Sequence, residues 1–159
     1  MVNAVLTRQG VCGAAGRFPD PRVDLLVLGP PELDVDAHRS SLGAEVITHP
    51  EPGVRWALDL LAARGCRSVL IEGGGDLLFR ALDEGVLQEL YLTVCPLLIG
   101  GSSSPSPADG RGFSAHSLRR LELRDLERVG DELFLHYNVS VGDRGQSGKA
   151  GHGPTQEQS

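Results

Sequence analysis

Residues 67–77 read Arg-Ser-Val-Leu-Ile-Glu-Gly-Gly-Gly-Asp-Leu, and these side chains in this order could do chemistry. An apolar, β-branched run ends on a carboxylate, Glu72, and three glycines follow before an apolar helical pattern begins. Glycine allows main chain to approach a ligand where a Cβ would intrude. The helix that follows aims unpaired N–H groups and a positive dipole end at the same place, an arrangement that favours phosphate. The alternative is structural: a tight strand-to-helix turn needs glycines for its own dihedrals. Neither G-x-G-x-x-G nor a Gly-Lys-Ser/Thr P-loop is present, so no standard nucleotide fingerprint decides between the two.

The elements that must position this turn are legible from periodicity. Short strands are expected at Asn3–Thr7, Val23–Leu28, Glu45–Thr48 and Ser68–Ile71, with loop over residues 8–22. Val54, Ala57, Leu58, Leu61 and Ala62 form one apolar stripe, which predicts a helix over Val54–Arg64 stopped by Gly65. A second helix is predicted over Leu77–Leu82. Glu89–Ile99 is nearly all apolar and reads as a central strand covered on both faces. Strand, helix and strand over residues 45–71 make a parallel βαβ unit, whose ligand crevice lies beyond the carboxyl ends of the strands. Gly100-Gly101 should end near that edge if the preceding strand is parallel. Alternation over Leu118–Arg128 and Glu132–Val141, around Gly130-Asp131, predicts an antiparallel hairpin. Residues 1–141 thus make one domain, and residues 142–159 a disordered tail with little to bury.

Composition narrows the class. A chain of 159 residues with a net charge of −6 suits one domain and offers no basic surface for nucleic acid or acidic membrane. Cys12, Cys66 and Cys95 are widely separated, which argues against a disulfide framework or a Cys-x-x-Cys metal site and fits a reducing cytoplasm. No two of the five histidines stand at i, i+4, so each is expected at the surface or half-buried and no metal is expected. There is no leader-like segment and no long apolar run.

Val69-Leu-Ile-Glu-Gly-Gly-Gly75, a helix, and then Val86-Leu-Gln-Glu-Leu-Tyr-Leu-Thr-Val-Cys-Pro-Leu-Leu-Ile-Gly-Gly101 resemble the C-terminal reductase domain of bacterial riboflavin biosynthesis protein RibD. The likeness runs from about Val2 to about Tyr137 and is strongest from Val54 to Gly101. The resemblance implies an α/β, dihydrofolate-reductase-like fold: a mostly parallel sheet with flanking helices and a C-terminal antiparallel hairpin. It implies an NADPH-dependent reductase that converts the ribosylamino chain of a 5-amino-6-(5-phosphoribosylamino)uracil to ribitylamino. Hydride from the nicotinamide would go to C1′ of the sugar. Gly73, Gly74 and Gly75 would face the cofactor diphosphate, with Asp76 and Leu77 opening the helix of that cradle. Thr7 would lie near the cofactor, and Glu72 would bind the pyrimidine. Glu72 could instead be a helix cap or a paired structural acid. A homodimer is implied by family habit. No general acid is assigned, and no cationic cluster for a 2′-phosphate stands out in the sequence.

Two departures from the family set further expectations. The family's first strands, with their Ser-Leu-Asp-Gly-like motif, have no counterpart before Met1, so the sheet is expected to lack strands and expose an apolar face. Asp76 puts a carboxylate where a neutral residue is usual; at about 5 Å and an effective dielectric near 20 it would repel a diphosphate charge by roughly 3 kcal/mol. The alternatives are therefore a non-catalytic remnant that binds nucleotide or a partner subunit, or a family reductase with a different substrate.

Overall fold

The computed structural model describes residues 1–10, 22–101 and 104–140. The disordered tail predicted for residues 142–159, and most of the loop at 8–22, lie outside the described residues. The chain divides into two compact units, one of residues 1–87 with 99–112, the other of residues 88–98 with 113 onward.

The first unit is built on a parallel sheet of β1 (Val2–Leu6), β2 (Asp24–Gly29) and β3 (Glu45–Thr48), in the order β1-β2-β3. β2 is central and buries both faces, which is why it reads as an unbroken apolar run. Leu25 and Val27 pack with Leu33, Leu42 and Val46 on one face, whereas Leu26 and Leu28 pack with Ala57 and Leu61 on the other. The first face is covered by α1 (Val35–Leu42), the second by α2 (Val54–Ala63). A third helix, α3 (Gly75–Asp83), packs on α2 through Val54, Ala81 and Val86.

α1 was not expected, because its sequence, Val-Asp-Ala-His-Arg-Ser-Ser-Leu, carries almost no apolar stripe. Its ends are nonetheless well specified. The Asp34 carboxylate accepts from the Ala37 N–H at 2.9 Å, and Gly43 closes the helix at φ 62°. His38 on this helix is buried and not at the surface or half-buried as expected; its Nδ1 lies 2.5 Å from the Asp34 carbonyl oxygen.

Three further expectations are corrected. Ser68–Ile71 is not a strand. A strand exists only with a ladder partner, and among the described residues this segment has none; Val69 and Leu70 are 41% and 75% exposed. The βαβ unit over residues 45–71 is therefore not closed. Among the described residues the outer edge of β1 is also unpaired, and it shares with residues 68–72 a cleft of about 740 Å³ lined by Val2, Leu6, Leu58 and Ile71. Finally, the strand predicted over Glu89–Ile99 is shorter, largely exposed and antiparallel.

That strand, β4 (Glu89–Val94), belongs to the second unit, an antiparallel sheet in the order β4-β6-β5 with β5 at Arg120–Val129 and β6 at Glu132–Ser140. The sheet structure is accordingly half parallel and half antiparallel, not mostly parallel. With β4 antiparallel, the premise that brought Gly100-Gly101 to the ligand edge is gone. The β5–β6 hairpin forms as expected, joined by Gly130 (φ 61°) and Asp131, with one irregularity at Leu123/Asp125.

One side-chain cluster ties β4 to β6. The Glu89 carboxylate accepts from Tyr91 O–H at 2.9 Å and meets His136 Nε2 at 3.1 Å, while the Tyr91 and His136 rings stack at 4.2 Å. The Tyr91 hydrogen bond first, and then that of His136, hold the Glu89 carboxyl below the usual carboxylate range. A depressed folded-state value stabilises above the unfolded carboxyl's value of about 4.3 and is lost as pH falls through the folded value. Amide protection factors in β4 should therefore decline on acidification below about pH 4.3 in the native chain. In Glu89→Gln they should be lower at neutral pH and should lose this part of the acid dependence.

Candidate functional site

The strands of the first sheet are parallel, so Thr7, Pro30 and His49 leave it at one common edge. Arg8 follows Thr7 and reaches Asp76 on α3, Nη2 to Oδ2 at 3.5 Å. This contact brings the glycine turn to the carboxyl edge of the strands, the place where ligands bind in open α/β sheets.

The two helix N-termini of this region differ. At α2 the Val54 and Arg55 N–H groups donate to the Glu84 carboxylate at 3.1 and 2.7 Å, so that end is already neutralised by the protein. At α3 the N-cap is Gly74, with no side-chain cap bond, and the Gly75 and Asp76 N–H groups have no acceptor among the described residues.

The three glycines are not equivalent. A Cβ on Gly73 would come within 2.7 Å of the Leu77 side chain, and one on Gly75 within 2.6 Å of the Asp109 main-chain nitrogen. Those two are glycines for internal packing. Gly74 alone faces open space, and its φ of −74° is available to any residue. Among the described residues nothing requires glycine at 74; close approach from outside would.

Electrostatics sharpen the approach path. Asp109 accepts from Ser106 N–H and Oγ–H at 2.9 and 2.7 Å, which holds its carboxyl below the usual range. That carboxylate lies on the side of Gly75 where a Cβ would stand. Asp76 is the other acid of the turn, and its side chain is 58% exposed beside the Arg8 guanidinium. The repulsion expected from Asp76 is thus offset by a cation that the sequence reading overlooked.

Glu72 is exposed at the cleft beside β1 and has no hydrogen-bond or ion-pair partner among the described residues. It is neither a helix cap nor a paired structural acid, the two structural roles open to it, so its acceptors are free for a ligand. Leu77 lies partly buried against Val54, Ala81 and Val86, and lines the same cleft. Thr7 is engaged locally. Its hydroxyl donates to the Gly10 carbonyl at 3.0 Å and accepts from the Gln9 and Gly10 N–H groups at 3.3 and 3.1 Å. That exhausts a hydroxyl's capacity, so Thr7 shapes the turn that carries Arg8.

Comparison with known proteins places the chain in a family. The RibD C-terminal domain family matches residues 51–135. Riboflavin biosynthesis protein RibD of Actinobacillus pleuropneumoniae is 33% identical over 103 residues, 62% of this chain and 27% of that protein. The 2,5-diamino-6-ribosylamino-4(3H)-pyrimidinone 5′-phosphate reductase of Archaeoglobus fulgidus is 31% identical over 90 residues, 55% of this chain and 39% of that protein. The chain therefore spans well under half the length of these curated relatives. The crystal structure of a pyrimidine reductase-like protein from Corynebacterium diphtheriae superposes with a TM-score of 0.69 at 26% identity, over 86% of this chain and 60% of that one. The fold is thereby the dihydrofolate-reductase-like α/β fold of such reductase domains.

Proposed function

Since the chain belongs to the RibD C-terminal domain family, we propose that it acts as an NADPH-dependent pyrimidine reductase of riboflavin biosynthesis. Its substrate is a small pyrimidine ribotide, a 5-amino-6-(5-phosphoribosylamino)uracil, whose ribosylamino chain becomes ribitylamino. The observation that carries the reading is the open Gly74 face: main-chain donors that have no acceptor among the described residues, at the carboxyl edge of a parallel sheet, where no described residue requires glycine.

The residues present fit a nicotinamide dinucleotide. The Gly75 and Asp76 N–H groups would donate to its diphosphate, and Gly73 and Gly75 keep the turn tight enough for that approach. Arg8 holds Asp76 so that its charge is offset. Glu72 accepts hydrogen bonds from pyrimidine ring or amino N–H groups and fixes the substrate's orientation. When bound, the reduced nicotinamide supplies the hydride. The apolar wall of the 740 Å³ cleft, from Val2, Leu6 and Ile71, keeps water from that side. No helix among the described residues is long and apolar enough to cross a membrane. A cytoplasmic homodimer completes the reading.

A fluorescence titration of the 159-residue chain with NADPH tests it. The expected result is saturable binding below millimolar, with substrate-dependent NADPH oxidation. One observation favours a second reading. The free β1 edge and the exposed Val69 and Leu70 suit a non-catalytic chain that binds nucleotide or a partner subunit. Binding without turnover would select that reading, and no binding up to millimolar NADPH would remove the reductase reading altogether.

A further inference from the structure

The register of the second sheet sorts its side chains onto two unlike faces. On one face two rungs cross all three strands, Leu90–Tyr137–Leu123 and Leu92–Leu135–Leu126. The other face carries Glu89, His136 and Asp125. The irregularity in β5 keeps the first face apolar. Leu123 and Leu126 are three positions apart, which would send them to opposite faces of an unbroken strand. Arg124 has no partner in the register; as the extra residue of a bulge it restores the phase and returns Leu126 to the side of Leu135.

These leucines have no layer to pack on within their own unit. Among the described residues that unit holds three strands and no helix, and every buried apolar side chain lies between Leu25 and Val86, in the first unit. Leu121, Leu123 and Leu126 are 43%, 51% and 50% exposed. A sheet with one apolar face is stabilised when a second layer buries that face. With β6 nine residues long, strands about 4.8 Å apart give the face an outline of about 14 by 30 Å, or about 400 Å². Two such faces pressed together, with the relief of their side chains counted, reach the roughly 1,000 Å² that a stable interface needs.

Charge and edge chemistry select the partner. Arg128 is the one charged residue that the register puts on this face, and it is spent at the hairpin end: Nε donates to the Gly130 carbonyl at 2.7 Å and Nη2 to Asp131 at 3.3 Å. The face therefore offers nothing to nucleic acid, an acidic peptide or a lipid headgroup. A second copy brings an equally neutral sheet of the same dimensions, and two such sheets pack aligned at about 10 Å. Addition at the outer strand is disfavoured, because β5 carries the bulge together with Arg120, Glu122, Arg124 and Asp125.

We infer that the apolar face of the β4-β6-β5 sheet is the surface on which two copies of this chain dimerise, packed face to face about a two-fold axis. The inference rests on the homodimer of the reading above and takes nothing from its cofactor. In the dimer the Glu89–Tyr91–His136 cluster stays on the outer, solvent side of each sheet.

Sedimentation equilibrium on the whole chain tests the inference in Leu123→Lys and Leu126→Lys, with Glu127→Lys on the opposite face as control and circular dichroism to confirm folding. The native chain and Glu127→Lys should be dimeric. Each leucine variant should raise the dissociation constant by about a hundredfold or more, because a charge would be buried without a partner. If a lysine unfolds the hairpin, Leu123→Ala decides by the same measurement, with about a tenfold rise expected. Folded leucine variants that dimerise as tightly as the native chain overturn this surface and leave the homodimer standing. A native chain that stays monomeric up to millimolar removes both. Sedimentation reads mass and not turnover, so a failure of the reductase reading leaves either result in place.

Discussion

Gly74→Val should lower NADPH affinity by about 10²–10⁴ and leave the fold intact. The isopropyl group would stand between the Gly75 and Asp76 N–H groups and the diphosphate. Two hydrogen bonds to a charged group, at about 1.5–3 kcal/mol each, account for that range. Within the protein the substitution is almost silent: no atom lies within 4 Å of the added Cβ, and the φ of −74° suits valine. Loss of glycine at the N-cap costs about 1 kcal/mol or less. Gly73→Val and Gly75→Val should behave in the opposite way and lower the unfolding midpoint, because Leu77 and Asp109 already fill those positions. Fluorescence titration and thermal unfolding on the three variants separate the cases. A Gly74→Val chain that binds NADPH as the native chain does would show that the glycines serve the turn alone.

Glu72→Gln should raise the Michaelis constant for the pyrimidine by about ten- to a hundredfold, with NADPH affinity unchanged. The carboxylate is exposed at the cleft and has no partner among the described residues, so its removal disturbs no bond among them. What is lost is one charge-assisted hydrogen bond to the ring, about 1.5–3 kcal/mol. The amide keeps the shape and one acceptor but puts a donor where the second acceptor stood, so charge and one hydrogen-bond direction change while the bulk does not. An unchanged Michaelis constant in a variant that still oxidises NADPH would remove Glu72 from the substrate site. A loss of NADPH binding would place it on the cofactor side instead.

The elements with a regular apolar periodicity in the sequence were readable in advance. β2, β3, α2 and the β5–β6 hairpin fall within a residue or two of their predicted bounds, since apolar periodicity and glycine stops were both present. α1 escaped because its specification lies in its caps, Asp34 and Gly43, and not in an apolar face. Ser68–Ile71 misled for the converse reason. Its β-branched residues satisfy the side-chain preference of a strand, but that preference supplies no neighbour, and none of the described strands offers one. β4 was misassigned to the parallel sheet because an apolar run carries no information about strand direction.

The candidate site divides along the same line. Which groups could do chemistry was written in the chain itself: a carboxylate, three glycines and the start of a helix within residues 72–77. Local order is set by covalent neighbours, and glycine, proline and β-branched residues act through their own dihedrals. Which of those groups are free for a ligand was decided by residues far away in sequence. Asp109 closes one side of the turn, Arg8 offsets Asp76 across 68 positions, and Glu84 caps α2 and leaves α3 open. Steric blocking and charge compensation depend on distance in space, which only the folded chain fixes.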